Sequence, residues 1–408
     1  MLRRPRLGLQ KLVADHPPQL VTGIGDEQPG HFPVHDIWSA VKRLYSTGLH
    51  PAIALHIRHQ GRVVMDRTLG HLVHEPDQPA GAVASPDSLF SLFSASKIVT
   101  SALVLALCDD GVLHLERPIV AWLPELDRHG KHKILLRHLL QHTAGIPDMP
   151  PIADIEGVIA RGRVDLQHLA DLRLQTPPGT RIAYHAMTMG FLLHEIVERA
   201  SGKAIREVLR ARLTGPLGLD QMDYGVPAER LPEVARHAVT GPRVPRFMAE
   251  VFSRNIGVDF ATAIAISNRD EFLTGVLPMA NVIATPRQIG ALMQMLLDGG
   301  QLNGTQVLHP NTARQMHHDL TPWQIDGTLR LPLRYGLGVM MGHRLPSLFG
   351  PDTHSAFGHL GLSSVVVWAD PARQLAVAFM NTGKPMAAPG MVLWYRVIER
   401  IASLVPKT

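Results

Sequence analysis

Apolar and polar positions follow two different periods along this chain, and the places where the period changes mark out its elements. Residues 36–47 carry apolar side chains at helical spacing and predict a helix. Residues 52–58 and 62–67 are aliphatic runs on either side of Gln60 and Gly61, the pattern of a β-hairpin. Residues 72–87, rich in Pro, Gly and Asp, read as a loop. A strongly helical pattern runs from Ser94 to Asp109 and ends at Gly111. Residues 115–275 are mostly helical segments, broken by Pro and Gly at 147–151, 177–179 and 242–245. Another helix is expected at 286–297, stopped by Gly299 and Gly300. Strand signals return at 335–342, 363–369 and 375–381, the last two joined by a turn at Asp370 and Pro371. Residues 391–404 close the chain as a helix, and no internal repeat or low-complexity tract occurs.

Strands at both ends with helices between them imply an α/β (α+β) molecule whose sheet is assembled from sequence-distant pieces. The expected division is an N-terminal arm at 1–34, a sheet domain from 35–90 and 275–408, and a mostly helical lobe at 91–274. A cleft between the last two is the natural place for a site. Within the lobe, 240–275 contains Met248, Val251, Phe252, Phe260 and Ile266, which suit a lid or acyl-pocket wall as well as plain helix packing.

Composition narrows the function classes. Of the 408 residues 45% are hydrophobic and 18% charged, which excludes a disordered chain. The formal charge of +5 comes from basic residues scattered along the chain, clustered only at Arg3, Arg4 and Arg6, so a nucleic-acid partner is not expected. Cys108 is the single cysteine; it allows no intramolecular disulfide and, beside the apolar run 103–107, reads as a buried, inert thiol. Gln10, Lys11 and Asp15 interrupt any signal-peptide core, and no stretch of 18 apolar residues exists, so a cytoplasmic protein without a transmembrane segment is expected. Residues 2–14 leave peripheral membrane contact open, although a solvated arm is the simpler reading.

A serine nucleophile needs a base and donors for the oxyanion. The Gly-x-Ser-x-Gly elbow of α/β-hydrolases is absent. Ser94-Ala95-Ser96-Lys97 stands instead at the head of a helix, where one turn puts Ser94 and Lys97 on the same face. The helix N-terminus favours negative charge on the serine oxygen, and partial desolvation lowers the pKa of Lys97. A second Ser-x-x-Lys, Ser39 to Lys42, lies mid-helix on a solvated face and reads as coincidence.

Phe90-Ser91-Leu92-Phe93-Ser94-Ala95-Ser96-Lys97 resembles the first motif of the serine β-lactamase and penicillin-binding superfamily, closest to class C β-lactamases and family VIII carboxylesterases. The resemblance extends over nearly all of residues 36–400. Residues 137–147 look like the family's characteristic loop. Residues 177–186, with Tyr184-His185-Ala186, resemble the second motif, and Phe357-Gly358-His359-Leu360-Gly361 the third. This implies a class C-like fold, an antiparallel sheet flanked by helices with an inserted helical lobe. It also implies Ser94 as nucleophile, Lys97 and Tyr184 as shared general base, and the backbone N–H groups of Ser94 and Leu362 as oxyanion hole. His359, Gly361 and Ala186 would contact substrate. Ala186 replaces the amide, and His359 the lysine, that suit lactam recognition; both departures favour an uncharged ester.

The expected activity is therefore a serine carboxylesterase for short- to medium-chain esters, with an acyl-Ser94 intermediate and a small-molecule ester as partner. An acyltransferase stands second, then a β-lactamase or D-amino-acid peptidase, then a non-catalytic family member. No cofactor or metal is expected: His138 and His142 are spaced i, i+4 but lack the glutamate of a zincin helix. Asn281 is placed near the site, and Trp323 and Trp368 are assigned to the core.

Overall fold

The computed structural model describes residues 21–22, 32–73, 81–149, 154–386 and 389–408. Most of the N-terminal arm, including 2–14, part of the 72–87 loop and the end of the 147–151 break lie outside these residues. The strands that build the large sheet or flank the site are β1 (Val21–Thr22), β2 (Ala52–His59), β3 (Arg62–Gly70), β4 (Phe90–Ser91), β5 (Asp223–Tyr224), β6 (Ala238–Val239), β7 (Val282–Ala284), β8 (Met340–Met341), β9 (Phe357–Gly361), β10 (Val365–Asp370), β11 (Leu375–Asn381) and β12 (Gly383–Lys384). The helices that position the site are α1 (Val34–Tyr45), α2 (Ser96–Asp109), α3 (Thr188–Ser201), α4 (Arg246–Ile256), α5 (Phe260–Ser267), α6 (Asp270–Thr274), α7 (Pro286–Leu297) and α8 (Pro389–Leu404).

Seven strands form one antiparallel sheet in the order β1-β3-β2-β11-β10-β9-β8. Its hairpin from the N-terminal part of the chain pairs directly with β11, Ile53 standing opposite Asn381. The sheet alternates by size as well as by polarity, because successive side chains point to opposite faces. Ala52, Ala54, Ala376, Ala378 and Val367 share one face with Ile289, Leu292 and Leu296 of α7. Ile53, Leu55, Val377, Phe379 and Trp368 share the other with Ile37 and Val41 of α1 and Trp394 and Ile398 of α8. The small face lets α7 approach closely: a Cβ on Gly290 would sit 2.4 Å from the His56 ring. The apolar cluster on this side continues through α2 and α3 into the helical segments.

Two strand expectations need correction. The run 335–342 is mostly loop, since only Met340–Met341 joins the sheet. Gly338, at φ +80°, turns the chain hard against Ser101 of α2 and leaves no room for a continuous strand. The segment Phe357–Gly361, expected to precede a strand, is itself strand β9. Its glycines dilute the β signal, yet the packing requires one of them: a Cβ on Gly358 would lie 2.1 Å from the Val367 carbonyl oxygen on β10. A further small sheet, β4-β7-β5, has no sequence signature and fixes residues 282–284 beside the entry to α2. Trp368 is buried, but Trp323 is 38% exposed and meets His343 edge-on instead of joining the core.

Candidate active site

Strand β4 delivers the chain to Phe93, whose φ of +48° is left-handed, a conformation non-glycine residues adopt at a cost on the order of 1–3 kcal/mol. A single 3-10 turn, Phe93–Ala95, then leads into α2. In this otherwise buried stretch Ser94 alone is half-exposed. The turn is laced to the 278–282 segment: Val282 N–H donates to Ser96 Oγ at 3.0 Å, and Thr100 Oγ1 donates to the Pro278 carbonyl at 2.8 Å.

Lys97 is 1% exposed. Its Nζ donates to the carbonyls of Ala186 at 2.9 Å and Met279 at 3.3 Å, and to Ser94 Oγ at 3.4 Å. No carboxylate answers it among the described residues, so burial pulls its pKa down to about 7. The ring of Tyr184 lies 5.0 Å from the same nitrogen. The Tyr184 hydroxyl is buried without a hydrogen bond of ordinary geometry, although Ser94 is near enough to favour its ionised form. Burial and the nearby Asp326 carboxylate outweigh that effect and raise the phenol well above its usual range.

Tyr184 is held from behind by groups that carry no motif. Asp326 Oδ1 accepts from the Tyr184, Thr328 and Leu329 N–H groups, and Asp326 Oδ2 accepts from the Tyr335 hydroxyl at 2.9 Å. His142 lies 4.8 Å from the Tyr184 ring and 4.7 Å from that of Tyr335, and its Nδ1 accepts from His185 N–H. His138 instead accepts from Leu135 N–H beneath the Gly179 turn. Among the described residues no three metal-binding side chains gather.

His359 is fully buried, its ring 5.8 Å from that of Tyr184. Burial and the Lys97 charge lower its pKa to about 3, and Nδ1–H donates to the Leu360 carbonyl at 2.8 Å, so the imidazole is neutral at pH 7. Gly361 packs against the segment that carries Ser94, with room for no Cβ: one would stand 2.1 Å from the Leu92 carbonyl oxygen. That contact brings Leu362 to the pocket beside Ser94. Among the described residues neither the Ser94 nor the Leu362 N–H donates to another backbone carbonyl.

Ser94, Ala186 and Leu362 open onto a pocket whose other walls include Phe93, Met187, Phe252, Ile256, Ile266 and Phe272. The 240–275 segment, now α4, α5 and α6, thus supplies one side of it. Among the described residues no Arg, Lys, Asp, Glu or His lines the pocket, so Lys97 and His359 do not, and neither do Tyr184 and Gly361. Asn281 follows pocket-lining Met279 and Ala280, and its side chain ties its own loop, accepting from Leu277 N–H and donating to the Phe272 and Gly275 carbonyls. The Ser39–Lys42 pair lies on α1, which packs on the large-residue face of the sheet and contributes nothing to the pocket. Cys108 is half-buried, and burial and Asp109 push its thiol up to about 12.

The model of the family described as "Beta-lactamase" matches residues 40–401. The chain belongs to this family. A similar protein is the esterase/beta-lactamase LipL of Mycobacterium tuberculosis, 26% identical over 345 residues that cover 79% of this chain and 77% of LipL. Among solved structures, a penicillin-binding protein homologue from Caulobacter crescentus superposes with a TM-score of 0.78 at 24% identity, over 95% of this chain and all of that one. A family VIII carboxylesterase follows at 0.77 and 19%, over 94% and 99%. These likenesses establish the fold predicted from the motifs, the antiparallel sheet flanked by helices. No helix among the described residues is long and apolar enough to cross a membrane.

Proposed function

We propose that the chain is a serine carboxylesterase that acylates Ser94. The observation that carries this reading is Ser94 at a pocket whose described lining holds no charged side chain, with Lys97, its pKa lowered to about 7, within hydrogen-bond reach of Ser94 Oγ and Tyr184 packed against Lys97. The names of the similar esterase/beta-lactamase and carboxylesterase support it.

Lys97 in its amine form takes the Ser94 proton as Oγ attacks the ester carbonyl. The developing oxyanion is received by the N–H groups of Ser94 and Leu362, which have no backbone acceptor to abandon. Tyr184, held protonated, gives its proton to the leaving alkoxide; as phenolate it then takes a proton from the water that attacks the acyl carbonyl, and Lys97 returns its proton to Ser94 Oγ as the acyl C–O bond breaks. The hydrogen bonds among these groups are long, as is common before substrate closes the site. The expected division of labour thus differs from a shared base: the raised phenol leaves the first proton transfer to Lys97.

Substrate preference follows from the walls. A β-lactam carboxylate would find no cation in the pocket, since His359 is neutral above about pH 4 and Lys97 is spent on backbone carbonyls. A p-nitrophenyl ester series beside a chromogenic cephalosporin tests this reading. Rapid ester cleavage with little lactam turnover supports it, and the reverse ranking overturns it.

The pH dependence has a definite sign. The active form of Lys97 is neutral, so kcat/KM falls about tenfold per unit below a pKa of about 7 and levels off above it. A flat profile from pH 5 to 8 removes Lys97 as the base. Tyr184→Phe keeps the ring against His142 but deletes the donor, and turnover should drop on the order of a hundredfold. Near-normal kcat in that variant places leaving-group protonation elsewhere.

A further inference from the structure

Beneath the pocket lies a second buried amine with no part in the steps above. Lys384 follows the last strand of the large sheet, on β12, which pairs in parallel with β6. It is fully buried, and among the described residues no Asp or Glu forms an ion pair with it. Its surroundings are cationic or neutral: His50 and His237 lie close enough for its charge to lower both of their pKa values. A buried amine without a carboxylate is an expensive feature to keep, so the question is what its contacts hold.

They hold two places. Nζ lies 4.8 Å from the centroid of the Phe93 ring, the strained residue immediately before Ser94. The same ring packs against His237, at 4.6 Å between centroids. Nζ also donates to Ser364 Oγ at 3.2 Å and to the Asn381 carbonyl at 2.8 Å. Ser364 closes the tight β9–β10 turn, its N–H donating to the Leu362 carbonyl at 2.8 Å, with Ser363 between them at φ +56°. The Ser364 hydroxyl donates onward to the Gly383 carbonyl at 2.7 Å, which leaves its lone pair free for Lys384. Burial drives Lys384 well below its usual range, and a neutral amine still has two N–H donors for these two acceptors.

We infer that Lys384 is a positioning residue that fixes the distance between the two backbone donors of the oxyanion hole, holding Phe93 before the Ser94 amide and Ser364 after the Leu362 amide. Each amide adjoins a left-handed residue, Phe93 or Ser363, in segments about 270 positions apart; the approach of Gly361 to Leu92 brings the segments together, and a side chain touching both turns trims their final separation. This rests on the esterase reading, and the test separates the two.

The probe is a fluorophosphonate, which phosphonylates Ser94 Oγ with loss of fluoride through a similar build-up of oxygen charge and needs no natural substrate. Wild type, Lys384→Met and Ser364→Ala are compared for the rate of Ser94 labelling and for kcat and KM on a p-nitrophenyl ester, normalised to the folded fraction from circular dichroism. For Lys384→Met the labelling rate and kcat should fall together on the order of 10- to 100-fold, with KM held within about twofold. Ser364→Ala, which removes one of the two contacts, should move both in the same direction by less. Labelled wild type with a Lys384→Met variant that reacts at the wild-type rate overturns the inference. If Lys384→Met does not fold, Ser364→Ala decides it: an unchanged labelling rate overturns the inference and a reduced one supports it. A wild type that is not labelled at Ser94 overturns the esterase reading and the inference with it.

Discussion

Ser94→Ala should leave no detectable acyl-enzyme and lower ester turnover on the order of 10⁴-fold or more, while the protein remains folded. The size follows from the chemistry, because deleting the nucleophile removes covalent catalysis and leaves only binding and the oxyanion donors. The folded state should barely notice. Ser94 is half-exposed, and among the described residues its hydroxyl meets only Lys97, at 3.4 Å, and the Tyr184 hydroxyl, while the Lys97 nitrogen keeps its carbonyl partners Ala186 and Met279. Phe93 retains its left-handed turn, since that turn is braced by His237 and Lys384 and not by the serine. The measurement is intact-protein mass after exposure to substrate, beside the melting temperature. An acyl adduct on the Ser94→Ala protein would move the nucleophile elsewhere, and a collapsed melting transition would make the loss a folding effect.

The parts of this site that were legible in the sequence are those whose partners lie close along the chain. Ser94 and Lys97 stand three positions apart at a helix start, and the Phe90 to Lys97 string gives them their context. Tyr184, Ala186 and Leu362 could be placed only through resemblance, because a lone tyrosine or an alanine carries no chemistry of its own. The supporting groups were not legible. Asp326 reaches the Tyr184 amide across 142 positions, through a backbone contact that leaves no side-chain pattern. The acceptors that hold Lys97 are main-chain carbonyls at Ala186 and Met279, which any residue could present. Phe93 and Ser363 adopt left-handed turns without glycine, so the usual marker of such turns is missing.

The fold shows the same division. The hairpin at 52–70 and the strands at 365–370 and 375–381 are short, strongly apolar runs bounded by turns and form where expected. Strand β9 was missed because Gly358 and Gly361 are chosen for close approach to β10 and to Leu92, and close approach works against strand propensity. Asn281 lies beside pocket-lining Ala280, but its amide satisfies three backbone groups of its own loop, a role that spacing does not distinguish from contact with a substrate.

Lys97→Met should separate activity from stability more sharply than any other substitution. Methionine matches the length of the lysine stem but cannot accept a proton, so ester turnover should fall on the order of 10³-fold or more and lose the rise through about pH 7. The stability change runs the other way. The folded pKa of Lys97 is depressed to about 7 from its ordinary value of 10.5, so between those values the unfolded chain binds more protons and lysine at this position weakens folding as pH falls. Replacing it removes that penalty, while leaving the Ala186 and Met279 carbonyls without a donor returns part of the gain. At pH 7 the melting temperature of Lys97→Met should therefore equal or exceed that of wild type, with the difference shrinking as pH rises toward 10. Thermal melts across pH 7 to 10 beside ester kinetics check both halves. A variant that melts well below wild type at pH 7 would mean that the amine is a structural tie first, and would return the base role to Tyr184.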